Sequence, residues 1–69
     1  MSGYTSKDED WDTTPFGEQK IVSYRYPDGR LEEWVFMSVA NRNIWPTALL
    51  MKRITFRGVT TIKRYGDEK

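Results

Sequence analysis

The chain contains neither cysteine nor histidine. No disulfide can staple it, no thiolate or imidazole is available as nucleophile or base, and the usual zinc ligand sets cannot be assembled. A serine triad fails for want of its histidine. Phosphate-binding glycine loops and zinc-protease helices are missing as well. Long apolar runs are equally scarce. The longest, Ala48-Leu49-Leu50-Met51, is far short of a membrane span. The first residues, Met1 to Asp12, are polar and acidic, unlike the basic start and apolar middle of a secretory signal. A non-enzymatic, cytoplasmic protein without cofactor, metal or membrane partner is the expectation.

Size limits what remains. Sixty-nine residues make one small domain. A domain of about 60 residues buries only roughly 60% of the surface its unfolded chain exposes. Without disulfide or metal, stability must come from an aromatic-rich core or from self-association.

Charge is unevenly spread. From Met1 to Gln19 the acids Asp8, Glu9, Asp10, Asp12 and Glu18 face one base, Lys7. From Lys20 onward ten bases stand against five acids. The N-terminal composition, with Trp11, Phe16 and Tyr4 as its only sizeable apolar groups, predicts a mobile acidic arm over 1–19. The folded domain is expected over 20–65, with a polar tail at 66–69. Asp8, Asp10 and Asp12 match the first positions of a calcium loop, but Thr13 and Gln19 occupy its required glycine and glutamate positions, which argues against the site. The arm is then a solubilising terminus, or a docking peptide anchored by Trp11.

The predicted fold is α+β. Ile21 to Tyr26 and Leu31 to Met37 are rich in β-branched and aromatic residues, and Pro27-Asp28-Gly29-Arg30 supplies turn chemistry between them. They form an antiparallel hairpin over about 20–37. A tight turn at Asp28-Gly29 sets Arg25 opposite Glu32, Val22 opposite Val35 and Ile21 opposite Phe36; a one-residue slip sets Arg25 opposite Leu31 instead. The opposed charges favour the first register. Asn43 as cap, Pro46 in the first turn and Ala48 to Arg53 predict a short helix over about 44–53. One or two strands follow over about 54–65, with Gly58 as a turn or a bulge. The alternative is a small five-stranded β-barrel in which Ala48 to Arg53 is extended.

The most distinctive stretch runs from Glu33 to Asp67, between which no acid occurs and six cations do: Arg42, Lys52, Arg53, Arg57, Lys63 and Arg64. Such a surface attracts phosphate by counterion release. Tyr24, Tyr26, Trp34, Trp45 and Tyr65 offer rings on which unpaired bases stack. The expected function is therefore a small module contacting the backbone of single-stranded DNA or RNA. No helix is long and basic enough to read a major groove. The competing expectation is a protein-interaction module, an inhibitor or adaptor, built on Trp34, Phe36, Trp45 and arginine, the residue types that dominate interface hot spots. A homodimer through an exposed sheet edge also follows from the hairpin.

Overall fold

A computed structural model describes residues 3–65. Five antiparallel strands follow one another as a meander: β1 Ser6–Thr14, β2 Gly17–Arg25, β3 Leu31–Val39, β4 Leu49–Phe56 and β5 Val59–Arg64. The sheet is open, because β1 and β5 are its two edges and do not pair with each other.

This overturns the α+β assignment. No helix forms among the described residues, and 49–56 is a strand paired along its length with β3 and β5. Leu49, Leu50, Met51 and Lys52 are good helix formers, but helix propensity is a weak prior against two neighbouring strands. Asn43 does not cap anything. Asn41 takes the local role, its Oδ1 accepting from the Asn43 N–H at 2.9 Å and its carbonyl accepting from the Ile44 N–H at 3.2 Å. The barrel alternative has the strand number right and the closure wrong.

The acidic segment is also different from the mobile arm expected. Ser6–Thr14 is an edge strand in register with β2 from Ser6↔Arg25 to Thr14↔Gly17, and the proposed boundary at 19/20 falls inside β2. Alternation explains how so polar a strand is accommodated. Lys7, Glu9, Trp11 and Thr13 point to one face and Asp8, Asp10 and Asp12 to the other, so each acid set remains in water. The tail at 66–69 lies outside the described residues.

The β2–β3 register is the slipped one, with Arg25↔Leu31, Tyr24↔Glu32, Val22↔Trp34 and Ile21↔Val35. The turn decides this. The Gly29 N–H donates to the Tyr26 carbonyl at 3.0 Å and the Tyr26 N–H donates to the Arg30 carbonyl at 2.9 Å. Pro27-Asp28 occupies the turn, and Gly29, at φ 92°, is the left-handed residue that follows it. A three-residue loop of this kind displaces the pairing by one residue relative to a two-residue turn. Gly58 closes the last hairpin, with Arg57 and Gly58 both at positive φ, which is the type I′ geometry.

Two bulges interrupt the pairing. Lys20 faces an extra residue on β3, and Leu50 is extra on β4. Up to these points each strand alternates cleanly. One face, here the aromatic face, carries Trp11, Lys20, Val22, Tyr24, Trp34, Lys52 and Lys63; the opposite face carries Asp10, Ile21, Val35, Met51, Arg53 and Arg64. The core is correspondingly slight: Val22 on one face and Val35 on the other are the buried apolar residues. The radius of gyration, 13.1 Å, exceeds the about 11 Å of a compact chain this long, as a single layer should.

Gly17 begins β2 at φ 125°, and a Cβ there would run into the Val39 carbonyl of β3. Gly17→Ala is expected to cost about 2–3 kcal/mol, from backbone strain plus displacement of the β2–β3 pair, measured by urea denaturation. A loss below about 0.5 kcal/mol would show that this end of the sheet yields freely.

Candidate nucleic-acid interface

The aromatic face is organised around cations lying on rings. Its most enclosed group is Lys20, only 3% exposed, placed at the β3 bulge. Its Nζ lies 4.6 Å from the Trp11 ring centroid and 4.3 Å from that of Trp45, and bonds Glu9 Oε1 at 2.9 Å. Trp11 arrives on the neighbouring strand because it pairs with Lys20. Trp45 arrives from the β3–β4 loop, which is held back onto the sheet by Arg42 Nε donating to Glu18 Oε1 at 2.9 Å and by the Met37 N–H donating to the Ala48 carbonyl at 3.0 Å. Thr13 donates its hydroxyl to the same Glu18 carboxylate. Trp45 thus lends one ring face to Lys20 and keeps 65% of its surface open.

Farther along the face three rings in succession meet the lysines of β4 and β5. Tyr4 lies 4.9 Å from Tyr24, and Tyr24 meets Trp34 edge to face at 5.5 Å. Lys52 Nζ sits 4.0 Å from the Trp34 centroid and 5.8 Å from that of Tyr65; Lys63 Nζ sits 5.5 Å from Tyr65 and Lys7 Nζ 5.9 Å from Tyr24. Glu32 borders this row, accepting from the Trp34 Nε1 at 3.0 Å and the Tyr26 hydroxyl at 3.1 Å. Burial, then the Glu32 contact, pushes the Tyr26 phenol above its ordinary range. Among the described residues neither Lys52 nor Lys63 pairs with a carboxylate.

The six cations singled out in the sequence do not form one surface. Lys52 and Lys63 pair across β4 and β5 on the aromatic face. Arg53 and Arg64 project from the opposite face, where Arg53 Nε stands 3.6 Å from Glu33 Oε1. Arg57 is in the terminal turn, 5.1 Å from the Phe56 ring, so Arg53 and Arg57 do not act together. Arg42 is consumed by Glu18 and starts no helix. Of the aromatic candidates, Tyr24, Trp34 and Tyr65 share the row with Lys52; Tyr26 is at its margin, against Arg30, and Trp45 is over Lys20. Lys7 and Lys20 were missed because their positions read as part of a disordered arm and as the first residue of a strand, and Trp11, expected to anchor a docking peptide, instead packs on Lys20 of its own chain. The alternation Lys7-x-Glu9-x-Trp11-x-Thr13 was the available signal.

Two carboxylates carry pH information. The Lys20 bond, then the Lys7 contact at 3.3 Å, holds Glu9 below the usual carboxylate range, and Arg42 does the same for Glu18. A carboxylate depressed on folding stabilises the fold above its unfolded pKa and ceases to do so as the pH falls through the folded value. Glu9→Gln is therefore expected to lower stability at neutral pH and to flatten the acid limb below about pH 4.5, seen in thermal melts across the acid range. Lys20 separates charge from packing. Lys20→Met keeps the stem between the tryptophans and should cost about 1 kcal/mol; Lys20→Ala also opens a gap and should cost about 2–3 kcal/mol by urea denaturation. Equal losses would assign the whole effect to the charge.

No family model, no curated protein and no solved structure matches this chain.

Proposed function

We propose that the chain is a non-enzymatic module that binds single-stranded nucleic acid across its aromatic face. The observation that carries this reading is the row Tyr24, Trp34, Lys52, Tyr65 and Lys63, in which neighbouring rings and ammonium groups lie 4.0–5.8 Å apart and, among the described residues, neither lysine pairs with a carboxylate. Rings supply sequence-tolerant stacking, and lysines supply counterion release. In the free protein the ammonium groups rest on the rings. An arriving strand exchanges partners: bases take the ring faces of Trp34 and Tyr65, and Lys52 and Lys63 swing on their flexible stems to phosphates. The exchange sacrifices cation–π contacts of about 0.5–1 kcal/mol each and gains stacking of about 1–3 kcal/mol per base. The acidic edge at β1 limits the affinity and leaves the β4–β5 half of the face as the entry side.

The second reading, a protein partner, is favoured by one observation. Ile44 and Trp45, adjacent in the β3–β4 loop, are both open to solvent, and exposed tryptophan is the residue type that anchors interfaces. Phe36, expected to share that patch, is partly covered.

Fluorescence anisotropy with labelled single-stranded DNA, RNA and duplex at two salt concentrations separates them. Binding to single strands that weakens with salt is expected. The double variant Lys52→Ala/Lys63→Ala should lose about tenfold in affinity for every sequence and reduce the salt slope by about 1.4, the value for two phosphate contacts on a single strand. Arg53→Ala, on the other face, should change little. Absence of binding at low salt would end the nucleic-acid reading and leave the Ile44-Trp45 loop as the surface to pursue.

A further inference from the structure

The two edges of the sheet differ in what they offer a further strand. β5 pairs with β4 alone, and every residue from Val59 to Arg64 is exposed. Its hydrogen-bonding parity follows from its last pair, in which the Tyr65 N–H donates to the Leu50 carbonyl at 2.7 Å. Antiparallel bonding alternates along a strand. Val59, Thr61, Lys63 and Tyr65 therefore bond inward to β4, while Thr60, Ile62 and Arg64 turn their N–H and C=O groups outward. Three donors and three acceptors are thus aimed away from the sheet along one free edge. Two of the side chains on it are apolar and open, Val59 at 66% and Ile62 at 49% exposure. Such an edge is a template for another strand.

β1 is the guarded edge. A two-fold axis through the middle of Ser6–Thr14 would set Asp10 on Asp10 and Asp8 on Asp12, and like charges directly opposite are destabilising. β5 instead has a register in which it complements itself. An axis through Ile62, perpendicular to the sheet, sets Ile62 opposite Ile62, Thr61 opposite Lys63, Thr60 opposite Arg64 and Val59 opposite Tyr65. The Ile62–Ile62 and Thr60–Arg64 pairs exchange both of their bonds, so every outward group of both copies is satisfied. Each cation faces a threonine. Moving the register by two residues is worse in either direction: one shift sets Lys63 on Lys63, and the other sets Arg64 against Gly58 in the turn. A shift of one residue sets outward groups against inward ones.

We propose that β5 pairs with β5 of a second copy in this register, making a homodimer with one continuous sheet. Because the same strand serves both copies, the contact closes at two. A strand pair of this length buries less surface than a standard interface, so the dimer is a reversible one. The perpendicular axis leaves both aromatic faces on the same side. Their β4–β5 halves adjoin at the centre, and the acidic β1 edges lie at the two far ends. The pairing uses the main chain of the edge and is independent of what the aromatic face binds.

Sedimentation equilibrium of the full chain over a wide concentration range tests this, and a reversible monomer–dimer equilibrium is expected. Ile62→Pro removes an outward N–H and none that bonds to β4, a position at which an edge strand tolerates proline. It should keep its fold in thermal melts and stay monomeric throughout. Thr61→Lys leaves the backbone untouched and places two like-charge contacts against Lys63, which should weaken the dimer about fivefold; Thr61→Glu should strengthen it by a similar factor. Because the chain has no cysteine, disulfide trapping reads the register. Ile62→Cys should cross-link to its own copy on mild oxidation, its two Cα atoms being about 5.5 Å apart. Thr60→Cys, about 14 Å from its counterpart, should not. A monomer at every concentration, assembly beyond two copies, a folded Ile62→Pro variant that still dimerises, or cross-linking at Thr60 in place of Ile62 would overturn the proposal.

Discussion

Which side chains meet on either face depends on the register between β2 and β3, and that register is set by three residues of turn. Pro27 and Asp28 make the turn and Gly29 takes the left-handed position after it, so Tyr26 meets Arg30 and the strands begin pairing at Arg25 and Leu31. A displacement by one residue would set Val22 opposite Val35, and every cross-strand partner would change. Trp34 would no longer stand beside Tyr24 and Val22, nor Val35 beside Ile21. The aromatic row and the Ile21–Val35 pair on the opposite face therefore have a common origin in a local loop geometry.

Lys20 shows how a polar sheet gains a fixed centre without a large apolar core. Its ammonium is paired with Glu9 and enclosed by two indoles, which offset the cost of taking it out of water. The β3 bulge opposite it and the Arg42–Glu18 pair draw the β3–β4 loop onto the sheet. That arrangement explains two of the three tryptophans. The third, Trp34, is half-buried at the centre of the face, held by Glu32 and with Lys52 over its ring.

Some of this was legible in the residues and some was not. The β2–β3 hairpin could be read from β-branched runs and turn chemistry, although the charge pairing of Arg25 with Glu32 pointed to the wrong register, and Gly58 stood open between a turn and a bulge. Backbone hydrogen bonds within the loop outweigh one exposed ion pair, which contributes about 0–1 kcal/mol. The six cations could be listed but not sorted, because their division between two faces depends on strand parity from Leu49 onward. Reading 44–53 as helix concealed it: Lys52 and Arg53 are neighbours on a helix surface and lie on opposite sides of a strand.

The sequence by itself determined the things that depend on nearest neighbours: the absence of thiol and imidazole chemistry, a turn within Pro27-Asp28-Gly29-Arg30, and the acidic start against a basic remainder. Tertiary structure alone decided that Ser6–Thr14 and Leu49–Phe56 are strands. Neither has a local preference strong enough to choose its state. β1 is too polar to collapse alone, and β4 is as good a helix as a strand. Each is settled by the backbone hydrogen bonds that an already formed neighbour offers along its whole length, a free energy that no window of sequence contains.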